Sequence, residues 1–142
     1  MGVQQRHCYQ AQRMRERILL KTMVVKLAIV GSRTFNNYSL LCEKVKEHFP
    51  IIDTIVSGGA KGADSLAERY AKENKIPIKV YRAQWELYGK RAGPKRNLQI
   101  VAEATHVIAF HDGFSSGTLH TIRTTEAANK PLTIIKYSQQ ED

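Results

Sequence analysis

Residues 54–64 read Thr54-Ile55-Val56-Ser57-Gly58-Gly59-Ala60-Lys61-Gly62-Ala63-Asp64 and run directly into Ser65-Leu66-Ala67-Glu68-Arg69-Tyr70-Ala71. A short β-branched run is followed by three glycines in five positions, and then by Leu66, Ala67, Tyr70 and Ala71 at helical spacing. That order predicts a strand at 54–56 passing through a glycine-rich turn into a helix over 63–74. The same alternation extends in both directions. Upstream, residues 24–30, apolar except for Lys26, predict a strand covered on both faces, and 38–49 predict a helix carrying Leu40, Leu41, Val45 and Phe49. Downstream, strands are expected at 78–81, 106–110 and 132–135. Helices are expected at 94–104, with Pro94 in a tolerated first-turn position, and at 118–129, ended by Asn129 and Pro131. Strands alternating with helices imply parallel pairing and right-handed crossovers. The expected fold is therefore α/β, a doubly wound sheet of about five parallel strands with helices on both faces. In such sheets ligands bind outside the carboxyl ends of the strands, where the winding changes direction.

Bulk properties fit this reading. The 142 residues make one ordinary domain, and 42% hydrophobic with 25% charged residues is a globular balance. The longest apolar run, 24–30, falls far short of the roughly 20 residues of a membrane span. Cys8 and Cys42 form no metal-spaced or redox pair, and Cys42 reads as a free buried thiol on a helix. The first residues lack a signal-peptide pattern, so a cytoplasmic location is the default expectation. Of the net charge of +9, Arg6, Arg13, Arg15, Arg17 and Lys21 against Glu16 place +4 in residues 1–22 and leave +5 for the rest. Residues 1–22 read as a basic, flexible extension and 23–142 as the single domain. A charge of +5 suits attraction of small anions. No metal site is expected, because the histidines are scattered, and no cofactor is implied.

The strand ends carry the chemistry. Gly31-Ser32-Arg33 closes the first strand with a tight turn, a hydroxyl and a forked cation suited to phosphate. Gly58, Gly59, Ala60 and Gly62 would let backbone amides approach an anion at a helix start, with Lys61 supplying charge. Asp64 in the first helical turn reads as a cap or a ribose ligand, and more weakly as a general base. After the fourth strand, Asp112-Gly113-Phe114-Ser115-Ser116-Gly117-Thr118 again leads glycines and hydroxyls into a helix. Between the third strand and the next helix, Lys90, Arg91, Lys95 and Arg96 lie beside Trp85 and Tyr88, a basic segment that can neutralise phosphate and stack a base. Trp85 reads somewhat better as a packing anchor, and Arg96 with Asn97 as site residues. His111 and His120 are the histidines nearest this cleft. Neither glycine loop has Walker A or Gly-x-Gly-x-x-Gly spacing, so an ordinary P-loop or dinucleotide dehydrogenase is unsupported. Two such loops after different strands of one sheet nonetheless converge on one expected phosphate-holding cleft.

In order along the chain, these motifs resemble the YspA/YpsA-related branch of the SLOG superfamily. The residues that carry the likeness are Gly31-Ser32-Arg33, Ser57-Gly58-Gly59-Ala60, Gly62-Ala63-Asp64, Trp85 with Tyr88-Gly89-Lys90, Ala92-Gly93-Pro94, Arg96-Asn97 and Ser116-Gly117-Thr118. The resemblance implies a Rossmann-like fold and a nucleotide-type ligand, since the superfamily includes nucleotide-derivative sensors, DNA-processing relatives and the LOG phosphoribohydrolases; because superfamily relatives often pair subunits, it also implies a homodimer or larger homo-oligomer. Arg96 looks like the LOG arginine, and residues 113–121 look like the LOG loop Pro-Gly-Gly-x-Gly-Thr-x-x-Glu. Thr121 occupies the position of its catalytic glutamate, and Glu126 lies more than a turn beyond. Within its own branch an acidic residue commonly precedes the tryptophan, whereas this chain has Gln84.

The expectation is a binding module, a sensor or sequestering protein, that holds a phosphate-bearing nucleotide or nucleotide derivative. The first alternative is a nucleotide N-glycosidase related to the LOG enzymes, for which Asp64 and Asp112 are the candidate catalytic carboxylates. The second alternative is single-stranded nucleic-acid binding.

Overall fold

The structure, a computed structural model, describes residues 24–138. The expected basic extension at 1–22 and Cys8 lie outside them. Within the described residues five strands form one parallel sheet in the order β3-β2-β1-β4-β5, with β1 at Lys26–Gly31, β2 at Thr54–Ser57, β3 at Ile78–Val80, β4 at His106–His111 and β5 at Leu132–Lys136. The central pair is in register from Leu27 opposite His106 to Gly31 opposite Phe110.

The two side-chain faces of these strands build two apolar layers. Leu27, Ile29, Ile55, Ile108 and Phe110 pack against α1, Tyr38–His48, and α2, Ala63–Glu73. Ala28, Val30, Val56, Val107 and Ala109 pack on the other side against α4, Ala92–Glu103, and α5, Ser116–Ala127. Because both faces are covered, the strands read as continuous apolar runs. Cys42 on α1 is half-buried against the first layer, not fully buried as expected.

Local sequence sets the ends of the elements. Asn37 caps α1 by accepting from the Leu40 amide at 3.0 Å. The Lys130 ammonium closes the carboxyl end of α4 by donating to the carbonyls of Val101, Ala102 and Ala104 at 2.6–3.0 Å. Strand β1 begins two residues later than expected, because Val25 is already engaged outside the ladder with Asp53. The largest departure is between β3 and α4. A four-residue helix, α3, spans Trp85–Tyr88, a 3-10 turn follows at Gly89–Arg91, and α4 starts at Ala92. Pro94 thus sits in the first turn of α4, where its missing N–H costs nothing.

Chain direction diverges at the centre of the sheet. After β1 the chain leaves for one face, to α1, and after β4 it leaves for the other, to α5. The carboxyl ends of β1 and β4 therefore border a crevice, which is the position such sheets use for ligands.

Candidate functional site

A cleft of about 790 Å³ opens at this point, within the size range of small-molecule sites. Its walls come from the three segments singled out above. The β1 turn contributes Ser32, Arg33 and Thr34, the start of α4 contributes Arg96 and Asn97, and the loop into α5 contributes Asp112 and residues 114–118. Ala60, Asp64 and Trp85 also line it, as do His120 and Thr121 further along α5.

The two glycine loops reach the cleft in different states. In the loop between β2 and α2, the Ala63 amide donates to the Ser32 carbonyl at 3.2 Å, and the Ala60 amide donates to the Asp64 carboxylate at 3.1 Å. The leading amide of α2 is thus taken up by the β1 turn. Gly62 makes this possible: its φ is +77°, and a Cβ there would lie 2.5 Å from both backbone C and O of Arg33. Gly58 has a different neighbour. A Cβ on it would fall 2.5 Å from Arg96 Nη1 and 2.9 Å from Asp64 Oδ2. In the loop between β4 and α5, by contrast, the Asp112 carboxylate takes the amides of Phe114 and Ser115, both at 2.8 Å. The amides of Ser116, Gly117 and Thr118 donate to no partner among the described residues. Gly117 has open space around it, and the first turn of α5 faces the cleft. Unpaired first-turn amides together with the helix dipole favour an anion there.

Arg96 is the fixed cation of the site. Its Nη1 donates to the Gly58 carbonyl at 2.7 Å and its Nε to Asn97 Oδ1 at 3.1 Å, while Nη2 has no partner among the described residues. Burial disfavours its charge, the neighbouring Asp64 favours it, and Arg33 opposes it. The two arginines thus repel across the cleft, and an anion between them relieves that repulsion. Asn97, buried, extends the network. Its Oδ1 accepts from a guanidinium, so its amide nitrogen is the donor in the 3.2 Å bond to His120 Nδ1. The network thereby assigns the His120 proton to Nε2. Thr118 is buried and donates to Ser115 Oγ at 3.1 Å, and Thr121 Oγ1 is turned back onto the Gly117 carbonyl at 3.2 Å.

The two candidate carboxylates differ. Burial raises Asp64, against the opposing influence of the Ala60 amide and Arg96. Burial would raise Asp112 also, but the Phe114 and Ser115 amides and the Ser32 hydroxyl hold it below the ordinary aspartate range. Asp112 is therefore a committed acceptor that shapes its loop.

The remaining expected site residues are placed as follows. Gly31 is a packing glycine, since a Cβ there would meet the Phe110 carbonyl at 2.7 Å and Ala63 Cβ at 2.8 Å. Gly59 borders a smaller lobe of the cleft with Gly58. Trp85 is half-exposed, leans on Gly93 and lines both lobes, so packing and cleft are not alternatives for it. Lys90 is exposed and borders neither lobe, and Lys61 is exposed on the turn above α2. Lys95 stands 3.6 Å over the Tyr88 ring, outside the cleft lining. Sequence reasoning missed Arg82 and Phe114. Arg82 lies just past the carboxyl end of β3, so the strand-end rule applied to that strand would have found it. Among the described residues no group of three or more His, Cys, Asp or Glu side chains comes together as metal ligands, and no helix is long and apolar enough to cross a membrane.

Fold and cleft together define a Rossmann-like α/β domain with a polar, arginine-bearing site at its switch point. The chain belongs to the YspA, cpYpsA-related SLOG family, whose pattern matches residues 25–88. It is 32% identical to the Gene 61 protein of Mycobacterium phage D29, over 75% of this chain and 93% of that one. Its fold is similar to DNA processing protein A (DprA) from Streptococcus pneumoniae, with a TM-score of 0.67 and 23% identity over 83% of this chain. The chain spans about half, 52%, of the DprA structure.

Proposed function

We propose that the protein binds a phosphate-bearing nucleotide or nucleotide derivative at the switch-point cleft, as a sensor or sequestering module. The observation that carries this reading is the pairing of Arg96 with the open start of α5. A guanidinium held by Gly58 and Asn97, with one nitrogen left over, lines the same cleft as three unpaired helix amides. Membership of the SLOG family supports a role connected with nucleotides or nucleic acids. The cleft also holds the half-exposed Trp85 and the almost fully exposed Phe114, aromatic surfaces on which a base can stack.

The test is to incubate the full chain with AMP, ADP-ribose and NAD, following melting temperature and released base together. Stabilisation by at least one of them without product is expected, and mass spectrometry of co-purifying small molecules gives an independent readout. If Arg96→Ala leaves affinity unchanged, the phosphate assignment fails. One observation favours the hydrolase alternative: Asp64, buried in the cleft with a raised carboxyl, is the kind of perturbed group that catalysis uses. Release of base that disappears in Asp64→Asn would replace sensing with hydrolysis. The basic rim outside the cleft and the likeness to a DNA-processing protein support nucleic-acid binding more weakly. A steep salt dependence of single-strand binding would bring that reading forward.

A further inference from the structure

The cleft has a second, smaller lobe of about 200 Å³, which shares Arg33, Ala60, Trp85 and Arg96 with the main lobe. What the small lobe adds is Arg82, together with the carbonyl edge of Gly58 and Gly59. Arg82 is seated in this loop. Its Nη1 donates to the Gly59 carbonyl at 3.1 Å. Gly59 has φ +69°, and a Cβ there would fall 2.8 Å from Arg82 Nη1 and 2.8 Å from Val80 Cγ1. Two consecutive glycines therefore seat two different arginines: Gly58 receives Arg96, and Gly59 receives Arg82.

The lobes also differ in charge. Asp64 and Asp112 line the main lobe, whereas the small lobe is lined by three arginines and no carboxylate. Glu68 approaches Arg82 only at 4.0 Å, with most of the arginine side chain exposed, so it neutralises the lobe little. Three guanidinium groups around so small a volume repel one another unless an anion lies among them. Arg96 borders both lobes, so one guanidinium can contact an anion in each, which favours two anions that are covalently joined.

We infer that the small lobe is a second phosphate subsite, and that the ligand carries a diphosphate group, one phosphate at the start of α5 and the next between Arg96 and Arg82. The class is a nucleoside diphosphate or an ester of one. This inference rests on the proposed function and narrows it.

The test uses the full chain, calorimetry, and four probes: AMP, ADP, inorganic pyrophosphate and a dT tetranucleotide. ADP is expected to bind at least about tenfold more tightly than AMP, the effect of one charge-assisted contact. Arg82→Met should abolish that preference while leaving AMP affinity within about twofold of its starting value, since AMP needs only the main lobe. Arg82→Lys, which keeps the charge but not the fork, should retain part of it. Melting temperatures of the variants confirm that they fold, as expected for a mostly exposed side chain. Equal affinity for AMP and ADP, or an Arg82→Met loss that falls equally on both, overturns the inference and leaves the proposed function standing. If AMP, ADP and pyrophosphate all fail to bind, the proposed function falls with it. Arg82-dependent binding of the tetranucleotide without pyrophosphate binding would assign the lobe to a nucleic-acid backbone and overturn the diphosphate.

Discussion

The loop between β2 and α2 and the loop between β4 and α5 look alike in sequence, each running glycines and small polar residues into a helix start. Their internal connections are opposite. In the first, the leading helix amide, Ala63, is paired with Ser32 and the loop amide of Ala60 with Asp64, and the glycines are filled in by neighbours: Gly58 by Arg96, Gly59 by Arg82, Gly62 by the β1 turn. In the second, Asp112 organises the turn and then stops, leaving the amides of 116–118 open and empty space beside Gly113 and Gly117. A glycine can be required because protein occupies its missing side chain, or because something else is to come close. The first loop seats two cations, and the second leaves three amides open, where we propose that the anion lies.

Gly62→Ala should break the first loop outright. The added methyl meets backbone atoms of Arg33, which cannot rotate away, and the left-handed φ adds its own cost. Together these predict a loss of at least about 3 kcal/mol, read as a drop in urea midpoint or a failure to fold. Gly58→Ala should be milder for folding and severe for binding. Its methyl meets the ends of two side chains, which can shift, so a loss of about 1–2 kcal/mol is expected. The shift unseats Arg96, and phosphate-ligand affinity should fall roughly tenfold to a hundredfold. Unchanged affinity would show that Arg96 does not need its seat.

Asp64→Asn sharpens the comparison through pH. Burial raises the Asp64 carboxyl, so the folded chain keeps that proton to higher pH than the unfolded chain does. Between the two values the native state binds more protons, and stability falls as pH rises through that window. Asparagine can still accept from the Ala60 amide but does not ionise. The variant should therefore melt higher than the parent at pH 7 and lose that advantage below about pH 4, where both are neutral. A variant that melts lower at neutral pH would mean that the Asp64 charge holds the loop together through Arg96.

The alternation of apolar strands and helices was legible because burial on both faces leaves continuous apolar runs, and the switch-point location followed from topology. Arg33, Arg96 and the 116–118 segment could be proposed because strand ends and helix starts are where charge and free amides gather. The pairing of Ala63 with Ser32 could not be read, since it joins positions far apart in sequence and depends on how two turns meet. Nor could the seats under Arg82 and Arg96, because a glycine's neighbours are set by tertiary packing. Helix α3 escaped because four residues carry no period.

The smallest effect on stability is expected from Gly117→Ala, and it is the most informative about the second loop. Nothing lies within 4 Å of the added methyl, and the residue has ordinary helical backbone in the first turn of α5. Alanine loses less backbone freedom on folding than glycine, so the change should be neutral or stabilising by up to about 0.5–1 kcal/mol. Binding should respond in the other direction. If the ligand's phosphate approaches the amides of 116–118, a methyl beside them narrows the approach, and affinity for AMP should fall several-fold while the melting temperature of the free protein holds or rises. That opposition between stability and binding is what distinguishes a glycine kept for a ligand from one kept for packing. In Gly62→Ala the two fall together; in Gly117→Ala they separate. If AMP affinity is unchanged in Gly117→Ala, the open amides are not the phosphate site, and the contrast between the two loops reduces to packing alone.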